Sequence, residues 1–481
     1  MTKQFLDKFN DLGGIYVSWK NNHELEDALQ GKTDIDIFIP KKHKEKFIQF
    51  YAVEGWLKLI NPIADYPEII HLYGLNKSMQ VFHIHVYFEI ITGESWLKEY
   101  MLPLGDFLIE NRIRDCKSEI FILNEKAQSF IFALRHYIKG YSLFSRLLYK
   151  KELNSYCKEW EIISSFYESG CYEKLIDLTP FNKKSGLLEN KLTLPNKHTA
   201  AVVRNHLSPY LRYKQSSLFF RRFDSLCKRF FNKAFLKRKK VFPKNGYILV
   251  LSGPDGVGKS TMVNEILSIY NQFITVKITK LGKPQGGVLE LIRKVIKRKK
   301  SIKKVENGKC IKISSKKDTS LLDAVLAIAL GWMRLRAAKN AAKNAKKGFL
   351  VISDRWPTLQ FGFMDGPKIV RTKNNLILRL CERIENFFYT QIPNADLCIV
   401  LTIPTDIAIE RNRNRVKEGK ETDEEILDRH SKNINHKPIS KSIIYFDNNG
   451  SLEKKRIELI KLIQEQLIIY ERDNKLQKGS T

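Results

Sequence analysis

The spacing of apolar residues changes several times along the chain, and each change predicts a different kind of element. HELEDALQ (23–30) has the spacing of a short helix, whereas IDIFIP (35–40) and QVFHIHVYFEII (80–91) alternate or run apolar as strands do. Residues 125–180 carry apolar positions three and four apart and predict helices. Around 181–200 the chain turns polar, with Pro, Gly and Asn, and predicts a hinge; 200–245 is again helical and ends at FPKNG. From Tyr247 the alternation becomes regular. The strand YILVLSG leads to a helix from Lys259 and then to FITVKITKLG. A helix at about 319–346 precedes FLVISD, and one at about 373–388 precedes LCIVLTI. Helices at about 405–417 and 423–435, the strand SIIYFD and a last helix at 451–472 complete the series. Strands alternating with crossover helices specify a parallel sheet covered on both faces. The expected fold class is therefore α/β over 246–481, preceded by an α+β domain at 1–124 and a helical region at 125–245.

Composition narrows this picture in three ways. The 481 residues suffice for two or three domains, and 43% hydrophobic with 28% charged residues excludes wholesale disorder. The longest nearly uncharged run, Leu321–Met333, is interrupted by Asp323 and is too short to span a bilayer. MTKQFLDKFND has no apolar stretch, so no secretory signal is expected. Seven cysteines with no C-x-x-C pair favour reduced thiols, and a cytoplasmic protein is the expectation.

A net charge of +31 calls for an anionic partner, and the charge is local. Residues 212–244 hold 12 Lys+Arg and one acid, and residues 291–317 hold another 12 and one acid. In the first segment Phe219, Phe223, Leu226, Phe230 and Phe231 recur at helical spacing among Arg221, Arg222, Lys228, Arg229 and Lys233. That is the pattern of a helix lying on an anionic membrane surface, although a Phe face packed on a neighbouring domain gives the same spacing. The second segment has few aromatic residues to stack on bases and reads as a solvated loop, which makes nucleic acid the less favoured partner.

Candidate chemistry is clearest at GPDGVGKST. Gly253, Gly258, Lys259 and Ser260 fit G-x-x-x-x-G-K-[ST] between an apolar strand and a helix, the context such a phosphate loop requires. Its glycines let backbone N–H groups turn toward phosphates, and the helix N-terminus adds partial positive charge. Lys259 is expected to reach the β and γ phosphates of ATP, and Ser260 to ligate Mg²⁺.

Residues 246–475 as a whole resemble thymidylate kinases. GPDGVGKST is close to that family's loop, ISDRW resembles its Asp-Arg motif, and PNADLCIVLTIPTDIAIERNRNR is similar to its run from the fourth strand into an Arg-bearing lid. SIIYFDNNGSLEKKRIELI resembles its last strand and helix. The resemblance implies that Gly253, Asp255, Gly256, Gly258, Lys259, Ser260 and Thr261 hold ATP, with Asp255 also touching the acceptor. It implies that Asp354 and Arg355 place Mg²⁺ and the acceptor phosphate, that Arg411 and Arg415 close over ATP, and that Arg334 meets the acceptor. Two departures argue against thymidylate itself. KLGKPQGG lacks the family's Arg-Glu pair, and WPTLQFGFMDGP replaces the segment that holds thymine. Asp365-Gly366 in that segment predicts a tight turn, either presenting a carboxylate to the acceptor or merely structural.

In GKTDIDIFI, Asp34 and Asp36 share one face of a strand, because side chains two apart point the same way. This resembles nucleotidyltransferases, which hold two Mg²⁺ ions on such a pair, and implies a metal site at Asp34 and Asp36. The family's third carboxylate is missing: VFHIHVYF, the expected neighbouring strand, offers His83 and His85. The family's glycine turn also sits nearer the carboxylates than Gly13-Gly14 does here.

Taken together, these features lead to the expectation of an ATP- and Mg²⁺-dependent kinase acting on a non-thymidylate acceptor. Chains that join such modules resemble accessory enzymes of bacterial surface polysaccharide assembly. That implies a sugar or lipid-linked glycan acceptor and an enzyme peripheral at the inner membrane surface through 212–244. Two alternatives remain open: a thymidylate or other nucleoside monophosphate kinase with an accessory domain, and a nucleic-acid-binding P-loop NTPase.

Overall fold

A computed structural model describes residues 1–94, 97–139, 143–165, 194–195, 197–254, 256–281, 319–370, 375–413, 423–424, 426–427 and 435–476. The chain divides into two compact units, Met1–Lys240 with Lys461–Thr481, and Val241–Ile460.

The first unit is built on a mixed seven-stranded sheet. Its strands are β1 (Val17–Lys20), β2 (Ile35–Phe38), β3 (Leu57–Leu59), β4 (Ile69–Leu75), β5 (Val81–Tyr87), β8 (Arg112–Arg114) and β9 (Phe121–Leu123). Their order is β3-β4-β5-β2-β1-β9-β8, and β6 (Ile90–Thr92) and β7 (Tyr100–Leu102) form a separate hairpin. Strict alternation sorts the side chains. Ile35, Ile37, Ile84 and Val86 pack with Phe5 and Phe9 of α1 (Thr2–Asp11) and Phe47 and Phe50 of α3 (Lys44–Val53). A short α2 (Leu25–Leu29) lies between β1 and β2, where helical spacing predicts one.

Val17, Trp19 and Phe38 contribute instead to a second core with Phe130, Leu134 and Tyr137 of α5 (Glu125–Lys139), which follows α4 (Gly105–Glu110). That core also takes in Trp160 of α6 (Leu143–Ile163) and Leu207, just past α7 (Lys197–His206). The helical region expected as a separate segment thus packs with the first unit as far as Lys240. The reason lies in α5, which is buried nearly all round and needs cover on more than one side. The helix α7 begins inside the stretch expected as a hinge, and most of that stretch lies outside the described residues. After it comes α8 (Leu218–Phe231), the basic amphipathic segment.

The second unit holds a five-stranded sheet, parallel throughout. Its strands are β10 (Tyr247–Ser252), β11 (Val276–Thr279), β12 (Leu350–Ser353), β13 (Ala395–Thr402) and β14 (Ser440–Asp447), in the order β11-β12-β10-β13-β14. Each corresponds to a strand expected from the alternation. Helices α9 (Lys259–Tyr270), α10 (Leu321–Ala345), α11 (Leu376–Thr390) and α12 (Thr405–Arg413) alternate with the strands, and α13 (Leu452–Leu476) follows, of which only the part up to Ile460 belongs to this unit. Every residue of β10 is buried, as a central strand covered on both faces requires. The chain places β11 and β12 on one side of β10 and then β13 and β14 on the other, so the carboxyl end of β10 is a topological switch point, where such sheets open a crevice. Among the described residues no helix is long and apolar enough to cross a membrane.

Candidate functional site

The carboxyl end of β10 runs directly into the glycine loop. Gly253, Gly256 and Gly258 have φ of 139°, 93° and 89°, values that residues with a Cβ rarely adopt. The loop is also crowded. A Cβ on Gly253 would stand 2.6 Å from the Leu401 carbonyl, and one on Gly258 would stand 2.8 Å from Asn448 Nδ2. Gly258 caps α9, so Lys259, Ser260 and Thr261 form its first turn, where helical N–H groups lack partners in the helix. Lys259 Nζ donates to the carbonyls of Gly253 at 2.9 Å and Pro254 at 2.7 Å, folding the ammonium back over the loop. Ser260 is exposed. Asp255 lies outside the described residues.

Asp354 follows β12, the strand beside β10. Its Oδ1 is shielded from solvent and has no hydrogen-bond partner. An orphan carboxylate oxygen of this kind suits a divalent cation, so Asp354 fits the expectation of Mg²⁺. Arg411 on α12 reaches the Asn448 carbonyl at 3.4 Å, and Asn448 itself donates to the Val257 carbonyl at 2.7 Å. Arg415, the second expected lid residue, lies outside the described residues, as do the basic run 291–317 and most of KLGKPQGG.

Arg334 and Asp365, both expected to meet the acceptor, meet each other. Arg334 donates to Asp365 Oδ1 at 2.6 Å and to the Tyr389 hydroxyl at 2.5 Å, and Tyr389 donates to the Gly366 carbonyl at 3.1 Å. Arg355 approaches the other Asp365 oxygen at 3.7 Å. Asp365 has φ 65° and is buried, and a Cβ on Gly366 would clash with the Gln360 carbonyl at 2.2 Å. The expected tight turn is therefore present, but its carboxylate points into an ion pair. His436 Nε2 donates to the Met364 carbonyl at 3.0 Å, beside this turn, and burial lowers its pKa.

The first unit assembles a different cluster. On β2 and β5, which pair in parallel, Asp36 lies opposite His85, and on the antiparallel β4 His71 lies opposite His85. Asp34, Asp36 and His85 each offer a ligand atom within 4.8 Å of the others. The neighbouring-strand histidines expected in place of a third carboxylate are thus where the pairing puts them. His85 Nδ1 is 3.0 Å from Asp36 Oδ1, and the His71 and His85 rings stack at 4.3 Å.

Lysines surround the row. A β-bulge between Ser18 and Lys20 shifts the β1 register so that Lys20, rather than Trp19, stands opposite Asp36. Its ammonium is 3.0 Å from Asp36 Oδ1, while Asn21, held at φ 58°, donates to Asp36 Oδ2 at 3.0 Å. Arg135, paired with Glu159 at 2.9 Å, fixes the Asn21 side chain from behind. Lys240 closes the far end, 3.1 Å from His71 Nε2. Lys98 contacts the Tyr87 hydroxyl at 3.3 Å.

These contacts set the charges. Burial alone would raise Asp36, but Lys20 and His85 outweigh it and hold the carboxyl below its usual range. Asp34 is pushed up by its crowded surroundings and by the charge of Asp36. Burial lowers His83 to about 3 and keeps His71 and His85 well below the ordinary imidazole value, so all three are neutral near pH 7. Burial and the neighbouring Lys20 bring Lys98 down to about 7, and burial brings Lys240 to about 8. The donor set of Asp34, Asp36 and His85 fits a divalent cation, which would compete with Lys20 for the same oxygen.

The loop, Asp354 and the carboxylate pair stand at strand ends and on the strand where the sequence puts them. Lys20, Asn21 and Asn448, which the structure brings beside them, were not singled out in the sequence. The adjoining Asn pairs at 21–22 and 448–449, each just past a strand, are the signals that mark those turns. No protein-family model matches the chain.

Proposed function

We propose that the second unit is an ATP-dependent kinase of thymidylate-kinase-like type whose acceptor is not thymidylate. The observation that carries this reading is the glycine loop, with three left-handed glycines and a helix N-terminus, at the carboxyl end of the central strand. In this reading the backbone N–H groups of the loop and of the first turn of α9 hold the β and γ phosphates of ATP. Lys259 moves from the Gly253 and Pro254 carbonyls onto the departing phosphoryl group and offsets its charge. Ser260 and Asp354 hold Mg²⁺, which when bound neutralises the phosphate oxygens. Arg411 is placed to close over ATP. Arg334 and Asp365 act as a pair that shapes the acceptor wall, and Arg355 stands beside them to meet the acceptor. The changed segments at 280–287 and 356–367 count against thymidylate, and the resemblance to accessory enzymes of surface polysaccharide assembly suggests a sugar or lipid-linked glycan instead.

A panel of nucleoside monophosphates with ATP and Mg²⁺ tests the acceptor. No turnover of thymidylate is expected, and brisk turnover would reassign the unit as a nucleotide kinase.

A second reading rests on the row Lys20–Asp36–His85–His71. We infer a cation-dependent, nucleotidyltransferase-like site in the first unit, with Asp34, Asp36 and His85 as ligands. Calorimetric titration with Mn²⁺ and Mg²⁺ tests it: saturable binding lost in Asp36→Asn supports the site, and equal behaviour of both proteins removes it.

A further inference from the structure

Helix α8 leaves an apolar face uncovered. Phe219, Phe220, Phe223, Phe230 and Phe231 are 57–73% exposed, and Phe235 and Leu236 in the π-helical turn that follows are 70% and 46% exposed. Phe219, Phe223 and Phe230 lie along one stripe of the helix, with Phe220 and Phe231 beside it, so the rings form a contiguous strip. Single exposed apolar residues need no explanation, but six phenylalanines between 219 and 235 form a patch.

The opposite side explains how the strip is held outward. Leu218 is buried, and Arg222 pairs with Glu94 at 3.4 Å and Glu99 at 3.6 Å in the same unit. Ser225 and Arg229, on the same face as Arg222, are half-buried. The helix end is fixed by Asn232, which donates to the Arg238 carbonyl and accepts from its N–H, both at 3.0 Å. The helix is therefore formed and anchored before any partner arrives.

Charge identifies the partner. Arg221 and Lys228 are exposed along one flank of the strip, and Lys233, Lys237 and Lys239 are exposed beyond it. The one acid of the helix, Asp224, is paired with Lys228 at 2.6 Å. A surface that meets this face must be apolar in the middle and anionic at its edge. Nucleic acid supplies the negative charge but offers an apolar strip only its base faces. An anionic bilayer supplies acyl chains and headgroups at the spacing of one helix. We propose that α8 and the turn after it dock the protein on an anionic lipid surface, with the phenylalanines in the acyl boundary and the lysines and arginines at the headgroups. This inference stands apart from the kinase reading and needs no activity to test.

Sedimentation of the full chain with vesicles decides it. Vesicles of phosphatidylcholine with phosphatidylglycerol are expected to bind the protein at low salt and to release most of it at high salt. Phosphatidylcholine alone is expected to bind little. Phe219→Ser/Phe223→Ser/Phe230→Ser is expected to abolish sedimentation, and Arg221→Glu/Lys228→Glu to weaken it by roughly tenfold or more. All five side chains are exposed, so both variants should melt like the wild type by circular dichroism; if one does not, the other carries the test. Equal binding to neutral and anionic vesicles, or no vesicle binding together with salt-dependent binding to DNA or RNA, would overturn the proposal.

Discussion

Lys259, in the first turn of α9, and Lys20, at the end of β1, each stand in a polar cluster, yet their surroundings differ in kind. Lys259 is folded onto two backbone carbonyls, which carry partial charges only. Lys20 is held against Asp36, so its charge is spent on a carboxylate already in place. The first site is made of backbone, with glycines setting the path of the chain. The second is made of side chains brought together by strand register. On the proposed reading the first receives an anion from solution, and the second takes a cation only if Lys20 is displaced.

The sharpest test of how firmly the second unit holds its internal pair is Arg334→Ala. It leaves buried Asp365 with only the more distant Arg355 and should cost about 3–5 kcal/mol in urea denaturation. A loss under about 1 kcal/mol would mean the pair is not what holds the turn at 365–366. A smaller contrast separates the two units by their glycines. Gly258→Ala combines φ 89° with a contact at 2.8 Å and should cost about 1–3 kcal/mol and lower ATP affinity. Gly13→Ala, where φ is 77° and the nearest atom is Lys46 Nζ at 3.5 Å, should cost only about 1–2 kcal/mol and leave ATP affinity unchanged. Equal ATP titrations for both variants would erase the distinction.

The lysines of the first unit give a pH signature of the same sign as acid denaturation but displaced into the neutral and alkaline range. Lys98 has a folded pKa of about 7 against 10.5 for the unperturbed side chain. Between those values the unfolded chain keeps a proton that the folded chain has released. Stability should therefore rise with pH above 7, by at most about 1.4 kcal/mol per unit. Lys98→Met should flatten that rise in melts between pH 7 and 9, and parallel curves would show that the ammonium is not constrained. The smallest effect concerns Lys20. In Lys20→Met, Mn²⁺ should raise the melting temperature by a few degrees more than in the wild type, because about 1 kcal/mol shifts a domain's melting point by that much. An identical shift in both proteins would mean that Lys20 and the cation do not compete.

How much of each site could be read in advance follows from the same contrast. The glycine loop was legible because its glycine and lysine spacing dictates the backbone path, and the strands of the second unit were legible because each is apolar and flanked by a helix. Arg334 and Asp365 were singled out as residues but not as partners, since 31 positions separate them and only the packing of α10 against the 365 turn joins them. Lys20 was invisible because a one-residue bulge decides which face it takes, and nothing in VSWKNN marks that slip. The helices at 125–207 were legible as helices, but their place in the core of the first unit follows from how much of α5 must be covered.

Transfer of radiolabel from the γ-phosphate of ATP, screened over fractions of cell extract, tests the central claim most directly. The account predicts that a fraction becomes labelled with the wild-type chain and that Lys259→Ala reduces labelling by about 10²-fold or more. Equal labelling with both proteins would contradict it.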